Sequence, residues 1–348
     1  MEKALFERKR QGGFTGDYAS FKGYLRYKAR LEKLQSPLAA LSPSASLTDL
    51  RRSIDEEPLT KDFLQRAWDK VDASLKSPPP AKLDAPTLEK ILATQRERDE
   101  DIDRRLRAPR LPTSLPPEDD AMVDDLLSKR GVVSKCGALQ IDHKDIARLT
   151  PNTWLNDEIV NFYGQLIMNR AEAIKRKAGT NGKKKPLEIY YFNTFFWQKI
   201  SKQSYEDSRL DRWTKKFDIF AKDIVLIPIN HNNTHWTAAT INFRRKRIES
   251  YDSMGMPRRA VFERLKYWLD KEHRKKKGAP FDFTGWEDYV LKDTPQQENG
   301  YDCGVFTCQF LETLSRGEER FSFTQTNIPY LRRRMIWEIG NAMLRDDP

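Results

Sequence analysis

The chain has 348 residues, 38% of them hydrophobic and 32% charged, with a net charge of +11 and a mean hydropathy of −0.76. That balance supplies one good core diluted by a polar part, so the length fits two domains or one domain with an arm. No apolar run reaches the length of a membrane span and Met1 to Arg10 lacks a secretory core, so a soluble, intracellular protein is expected. Three cysteines (Cys136, Cys303 and Cys308) and four scattered histidines argue against a disulfide framework and a structural metal. No cofactor is expected. Basic clusters lie at Lys175–Lys177, Lys183–Lys185, Arg244–Arg247, Arg274–Lys277 and Arg332–Arg334. Singly they read as solvated turns; together they fit an acidic partner or nuclear import. No nucleic-acid fold motif accompanies them, so no specific DNA or RNA reader is expected.

Residues 1–117 form a polar arm punctuated by Pro and Ser. Within it, Thr60 is placed to cap a helix carrying Leu64, Trp68, Val71 and Leu75, and Pro86 to start a second one running into Arg96–Arg107. One broken apolar stripe buries no core alone, so the arm is expected to be a largely disordered or helical tether. The sharper reading is a segment that binds a localising partner. Residues 118–348 form the globular domain. Helices are expected over Glu118–Lys129, Asp142–Leu149, Glu158–Arg170, Asn193–Gln203 and Arg209–Phe217, with a basic loop at Lys175–Lys185. Strands follow at Leu187–Phe192, Asp223–Ile229, His235–Phe243, Arg247–Asp252 and Glu287–Leu291. Helices over Arg258–Lys275, Cys303–Leu314 and Tyr330–Leu344 complete an α+β pattern, not a regular βαβ alternation.

The chemistry concentrates in three stretches. Thr294-Pro-Gln-Gln-Glu-Asn-Gly-Tyr-Asp-Cys-Gly-Val-Phe sets Cys303 at the start of an apolar helix, where the macrodipole favours a thiolate. Asn233-Thr-His-Trp supplies His235, a base able to hold that proton and return it to a leaving amine. Glu249-Ser-Tyr-Asp-Ser supplies Asp252, placed to fix the imidazole tautomer if the two strands form a hairpin. The Gln297 amide and the Cys303 N–H are candidate oxyanion donors. Each residue alone also has an ordinary structural reading. Cys308 fits a small core residue, and Asp252 beside Ser253 and Gly255 fits turn chemistry.

These motifs resemble the Ulp/SENP-type ubiquitin-like-protein proteases, the SUMO-specific cysteine proteases. The match runs through Trp154-Leu-Asn-Asp-Glu-Ile-Val-Asn-Phe-Tyr, Phe192-Asn-Thr-Phe-Phe, Pro228-Ile-Asn, His235-Trp, Tyr251-Asp-Ser and Pro295 to Phe306. It covers roughly residues 118–348 in the family's order. The resemblance implies a papain-like α+β fold with a central mixed sheet flanked by helices and a triad in the order His235, Asp252, Cys303. It implies Gln297 in the oxyanion hole, and Trp154 and Trp236 as a slot passing only a Gly-Gly tail. It implies that Asp157 and Phe195 hold an arginine of the modifier by ion pairing and stacking.

The expected activity is an isopeptidase that releases SUMO from lysines and matures its precursor, with SUMO and SUMO-conjugated proteins as partners. Three rivals stand beside it: a NEDD8 protease on the same scaffold, a Cys-dependent acyltransferase, and an inactive SUMO-binding scaffold. The nucleus or nuclear envelope, with the cytoplasm as an addition, is the expected location.

Overall fold

The computed structural model describes residues 1–11, 14–34, 59–75, 111–181 and 186–345. The chain divides into two compact units, Met1–Leu111 and Pro112–Asp347, where the sequence reading sets its boundary at 117/118. Among the described residues no helix is long and apolar enough to cross a membrane.

The first unit contains α1 (Glu2–Gln11), α2 (Tyr18–Leu34) and α3 (Lys61–Leu75). Thr60 caps α3 as its position suggests: its Oγ1 accepts the Phe63 N–H at 3.2 Å. The first two helices escape the sequence reading, because charged residues are interleaved with their apolar ones. They nevertheless bury Leu5, Phe6, Phe21, Leu25 and Tyr27 with Phe63 and Leu64 of α3. Phe6 meets Tyr18 and Phe21 at 5.4 and 5.3 Å between centroids, and Arg8 ties α1 to Asp72 of α3 at 2.6 Å. This part of the arm therefore has a small core of its own. The helix expected from Pro86 lies outside the described residues.

The second unit opens with α4 (Pro117–Ser128) and a hairpin absent from the sequence reading, β1 (Val132–Cys136) with β2 (Leu139–Asp142). Asp142 then caps α5 (His143–Ile146) through a capping box with Asp145. Next comes α6 (Asp157–Asn181). It runs well past Arg170, so much of the stretch read as a basic loop is helix. Ala171 to Lys177 are good helix formers, and their charges are used: Arg176 pairs with Glu172 one turn back, and Lys175 with Glu188. In the other direction, Arg209–Phe217 is not a regular helix. Ser204 caps the single turn α8 (Tyr205–Ser208), and Arg209 is left-handed, with φ 52°. Only a short 3-10 turn follows, at Leu210–Arg212.

Five strands make one mixed sheet in the order β3 (Ile189–Tyr191), β4 (Ile224–His231), β5 (His235–Asn242), β6 (Arg247–Tyr251) and β7 (Glu287–Tyr289). The two outer pairs are parallel and the two inner pairs antiparallel. Every residue of β5 is buried, as a strand covered on both faces must be. α10 (Cys303–Ser315) packs on β4 and β5. α7 (Phe195–Lys202) and α9 (Arg259–Lys277) share a core with Val225, Ile227, Ala239 and Ile241 of the sheet. In that core Phe192 stacks on Phe196 at 3.8 Å, and both meet Trp268 edge-on at 5.5 and 5.1 Å. α11 (Ile328–Gly340) closes the domain and packs on α4. The expected mixed sheet flanked by helices is what the chain forms.

Trp268 fills the junction of α9, α7 and the sheet and is 1% exposed. Replacing it by Ala is expected to cost about 3–5 kcal/mol, the range for truncating a buried aromatic. Urea unfolding of the second unit measures it, and a loss of about 0.5 kcal/mol or less, the scale of an ordinary surface substitution, would show that the aromatic cluster does not bear that weight.

Candidate active site

The β4–β5 hairpin places His235 at the start of β5, and β6 returns antiparallel so that Tyr251 pairs with Ala238. Asp252, one residue beyond β6, thus lies at the same end of the sheet as His235. His235 Nε2 meets Asp252 Oδ1 at 2.7 Å, with both side chains almost completely buried. That leaves Nδ1 for Cys303, a hydrogen-bond partner of His235. Cys303 is the first residue of α10, where N–H groups lack intrahelical acceptors and the helix dipole favours an anion. The three residues picked out in sequence are therefore brought together. Cys308, one turn and more along α10, is buried, and burial pushes its thiol well up.

Burial alone would pull the imidazole down. The Asp252 charge and hydrogen bond, joined by Cys303, outweigh it and hold His235 up at about 9. Burial likewise opposes ionisation of Asp252. The His235 charge and hydrogen bond, the Arg258 guanidinium and the Met254 N–H overcome it, so this carboxyl lies well below the usual carboxylate range. The site therefore holds an aspartate and an imidazolium at neutral pH. Asp252 also performs the turn chemistry that was its ordinary reading. Its Oδ1 accepts the Met254 N–H at 2.7 Å and its carbonyl accepts the Gly255 N–H at 3.0 Å. Gly255 takes φ +62°, and a Cβ there would lie 2.7 Å from Gln296 Oε1.

Gln297 is 1% exposed and hydrogen-bonded at both ends. The Ser253 hydroxyl donates to Oε1 at 2.6 Å, and Nε2 donates to the Asn299 carbonyl at 2.6 Å. The Asn299 carbonyl, which can only accept, fixes which end of the amide is the donor. Of the two Nε2 hydrogens one serves Asn299, which leaves the second for an oxyanion.

Trp236 is buried and its Nε1 donates to the Leu155 carbonyl at 3.1 Å. Trp154, half-buried, stands just before Leu155. Leu155 in turn packs against Gly304, where an added Cβ would lie 2.8 Å from the leucine Cβ. The loop bearing Trp154 thus rests directly on the residue after the thiol. Asp157 begins α6 and Phe195 begins α7. Asn161 joins the two helices through the Thr194 N–H and hydroxyl at 2.9 and 3.0 Å. Phe195 is 49% exposed, and Asp157 keeps a buried Oδ1 without a hydrogen bond. Burial, then Glu158, raises the Asp157 pKa against a hydrogen bond from Thr194.

Two arginines were not singled out for the site from the sequence. Arg258 Nε donates to Asp252 Oδ2 at 2.7 Å. Arg332 donates to Asp302 Oδ1 through Nη2 and Nε at 2.6 and 3.0 Å. It also reaches the Thr150 and Thr153 carbonyls at 3.1 and 2.9 Å. The other Asp302 oxygen accepts from Asn299 and Gln325 at 2.7 and 2.8 Å. The Arg332–Arg334 cluster, read as a solvated basic run, is thus largely internal: Arg332 and Arg334 are buried in ion pairs with Asp302 and Glu338. Spacing carries no signal for a pair 30 residues apart, whereas Arg258 follows Asp252 closely and was legible only as the start of a helix.

A thiol on a helix N-terminus, facing a histidine held by a buried aspartate, is the constellation of a cysteine peptidase. The family model described as "Ulp1 protease family, C-terminal catalytic domain" matches residues 153–345, and the chain belongs to that family. It is 45% identical over 207 residues to a Sentrin-specific protease of Caenorhabditis elegans, covering 60% of this chain and 28% of that protein. It is 34% identical over 215 residues to human Sentrin-specific protease 2, covering 61% of this chain and 34% of that protein. The chain therefore spans about a third or less of these relatives. Among solved structures it resembles the yeast Ulp1 protease domain in complex with Smt3, the yeast ortholog of SUMO. The TM-score is 0.55 at 26% identity, over 66% of this chain and 96% of that one. A structure of the SUMO protease Ulp1 with its catalytic cysteine oxidised to a sulfenic acid gives a TM-score of 0.56, also at 26% identity, over 67% of this chain and 98% of that one.

Two outcomes are expected. Because His235 is raised from 6.5 to about 9, its protonation stabilises the fold fully below about pH 6.5, and that contribution is lost as pH rises through about 9. Unfolding free energy measured across this window should fall more steeply for the native chain than for His235→Ala, and equal slopes would contradict the shift. Arg332→Met strands Asp302 as a buried charge and should cost about 3–5 kcal/mol in urea unfolding. Adding Asp302→Asn should recover part of that loss; no recovery would mean that packing, not charge, is what Arg332 supplies.

Proposed function

We propose that this chain is a SUMO-specific cysteine isopeptidase and endopeptidase that cleaves after the C-terminal Gly-Gly of the modifier. The observation that carries the reading is the buried His235–Asp252 pair at 2.7 Å, with Cys303 as the third partner. The likeness to Sentrin-specific proteases and to the Ulp1 domain bound to Smt3 supports SUMO as the modifier. In this reading Cys303 attacks the glycine carbonyl carbon as a thiolate, forming the C–S bond and a tetrahedral oxyanion. The second N–H of Gln297 and the Cys303 N–H receive that oxyanion. As the C–N bond breaks, His235 gives its proton to the departing lysine amine and a thioester remains. A water then loses a proton to His235 and attacks the thioester. Loss of the thiolate frees the modifier's carboxyl end and restores the site.

The roles of Trp154 and Trp236 as the tail slot, and of Asp157 and Phe195 as the arginine subsite, belong to the same proposal. The unpaired, buried Asp157 oxygen and the half-exposed Phe195 ring suit a guanidinium that pairs with one and stacks on the other. Residence in the nucleus or at its envelope, and a localising partner for the arm, are proposed on charge and organisation alone.

Modifier probes bearing a C-terminal electrophile test the reading, with SUMO, NEDD8 and ubiquitin versions run side by side. Labelling by the SUMO probe alone, abolished in Cys303→Ala, is expected. Labelling by NEDD8 instead would overturn the substrate and keep the chemistry. Labelling by none would overturn the peptidase reading in favour of acyl transfer or binding alone.

A further inference from the structure

Asp252 has more to do than a single hydrogen bond to His235 requires. Its Oδ1 accepts from His235 Nε2 and from the Met254 N–H, each at 2.7 Å, and its Oδ2 accepts from Arg258 Nε at 2.7 Å. The Arg258 and Asp252 side chains are each 5% exposed. Arg258 precedes α9 and reaches back to Asp252 across the turn that the Gly255 N–H closes on the Asp252 carbonyl at 3.0 Å. Its Nη2 rests 3.7 Å from Met256 Sδ.

The charge count explains why a second cation matters. While His235 is an imidazolium, Asp252 is paired by it. Once the proton passes to the leaving amine, the ring is neutral. Asp252 would then be a buried anion held only by neutral donors, which is costly. That cost would tie the proton to His235 and slow its release. A guanidinium stays charged at every working pH, so Arg258 keeps Asp252 paired before and after the transfer. The other titratable groups facing His235 do not supply this charge. Cys303 on α10 is a hydrogen-bond partner that gains negative charge, not positive. His231 on β4, its ring 6.2 Å from that of His235, is held neutral by burial first, then by Arg258 and His235.

We propose that Arg258 is a positioning residue that keeps Asp252 ionised and aimed at His235 through the proton transfer, making the proton of His235 easier to give up. The proposal rests on the assignment of His235, Asp252 and Cys303 as the reacting centre.

The test uses the full chain, with Arg258→Met and Arg258→Lys, and measures kcat and KM on a SUMO–lysine isopeptide between pH 6 and 10 (a range flanking the ordinary and raised histidine values). Arg258→Met is expected to lower kcat about tenfold with KM unchanged, and to move the basic limb of kcat upward by about one pH unit, since the ring then holds its proton more tightly. Arg258→Lys should keep the native limb. An unmoved limb in Arg258→Met, or a loss of kcat in both variants that merely follows thermal stability, would overturn the proposal. If Arg258→Met does not fold, Arg258→Gln keeps a donor, drops the charge and serves the same comparison. NMR titration of the His235 ring reads the shift without turnover. An inactive native chain whose His235 still titrates higher in the charge-free variant would therefore sink the peptidase reading and keep the Arg258 one, and an unshifted ring would sink the latter.

Discussion

The helix that starts at Cys303 is buried along its entire length, and the rest of the site depends on that burial. A buried helix leaves its thiol no freedom to search for a partner, so every partner must be brought to it. β5 delivers His235 by packing beneath α10. Leu155 delivers the loop of Trp154 by resting on Gly304, at a distance only a residue without a side chain permits. Arg332 joins the same loop to the N-terminal end of α10 by spanning the Thr150 and Thr153 carbonyls and the Asp302 carboxylate. The proposed nucleophile and the proposed tail slot are thereby parts of one packed body. If the site holds a flexible glycine tail in line with the thiol, as proposed, it benefits from such rigidity, because positional error is what oriented reactions tolerate least.

How much of this was legible beforehand follows from the range of each interaction. Cys303, His235 and Asp252 stood out because their chemistry sits in short stretches of unusual composition, and because a hairpin converts sequence spacing into proximity. β4 is legible as an apolar run, β5 and β6 by the polar turns that bound them, and the helix from Cys303 as an apolar block. What escaped was of two kinds. Local propensity is masked where charge is interleaved: α1 carries only Ala4, Leu5 and Phe6, and the aromatic and aliphatic residues of α2 alternate with Lys22, Arg26, Lys28 and Arg30. The tract from Ala171 onward is basic but built of helix formers. Long-range pairing was illegible outright. Arg332 looked like surface charge because nothing near it in sequence says that a carboxylate 30 residues earlier will be desolvated against it. Arginines with buried partners look the same in a sequence as arginines in water.

Asp252 shows why the ordinary and the functional readings of a residue need not compete. It closes a turn and it holds His235, and it does both with the same oxygen. The turn then carries the rest of the site. Ser253 orients Gln297 through its hydroxyl and accepts the Gln297 N–H at its carbonyl, and Gln296 returns a hydrogen bond to the Asp252 carbonyl. The segment after β6 and the segment before α10 are thus laced together. The proposed orienter of the base and the proposed donor to the oxyanion cannot move independently. A rotation of the turn would misalign both at once. In the proposed reaction the turn from Asp252 to Arg258 is therefore the element on which proton transfer and charge stabilisation jointly depend, and it is there, more than at the thiol, that small changes of sequence should tune it.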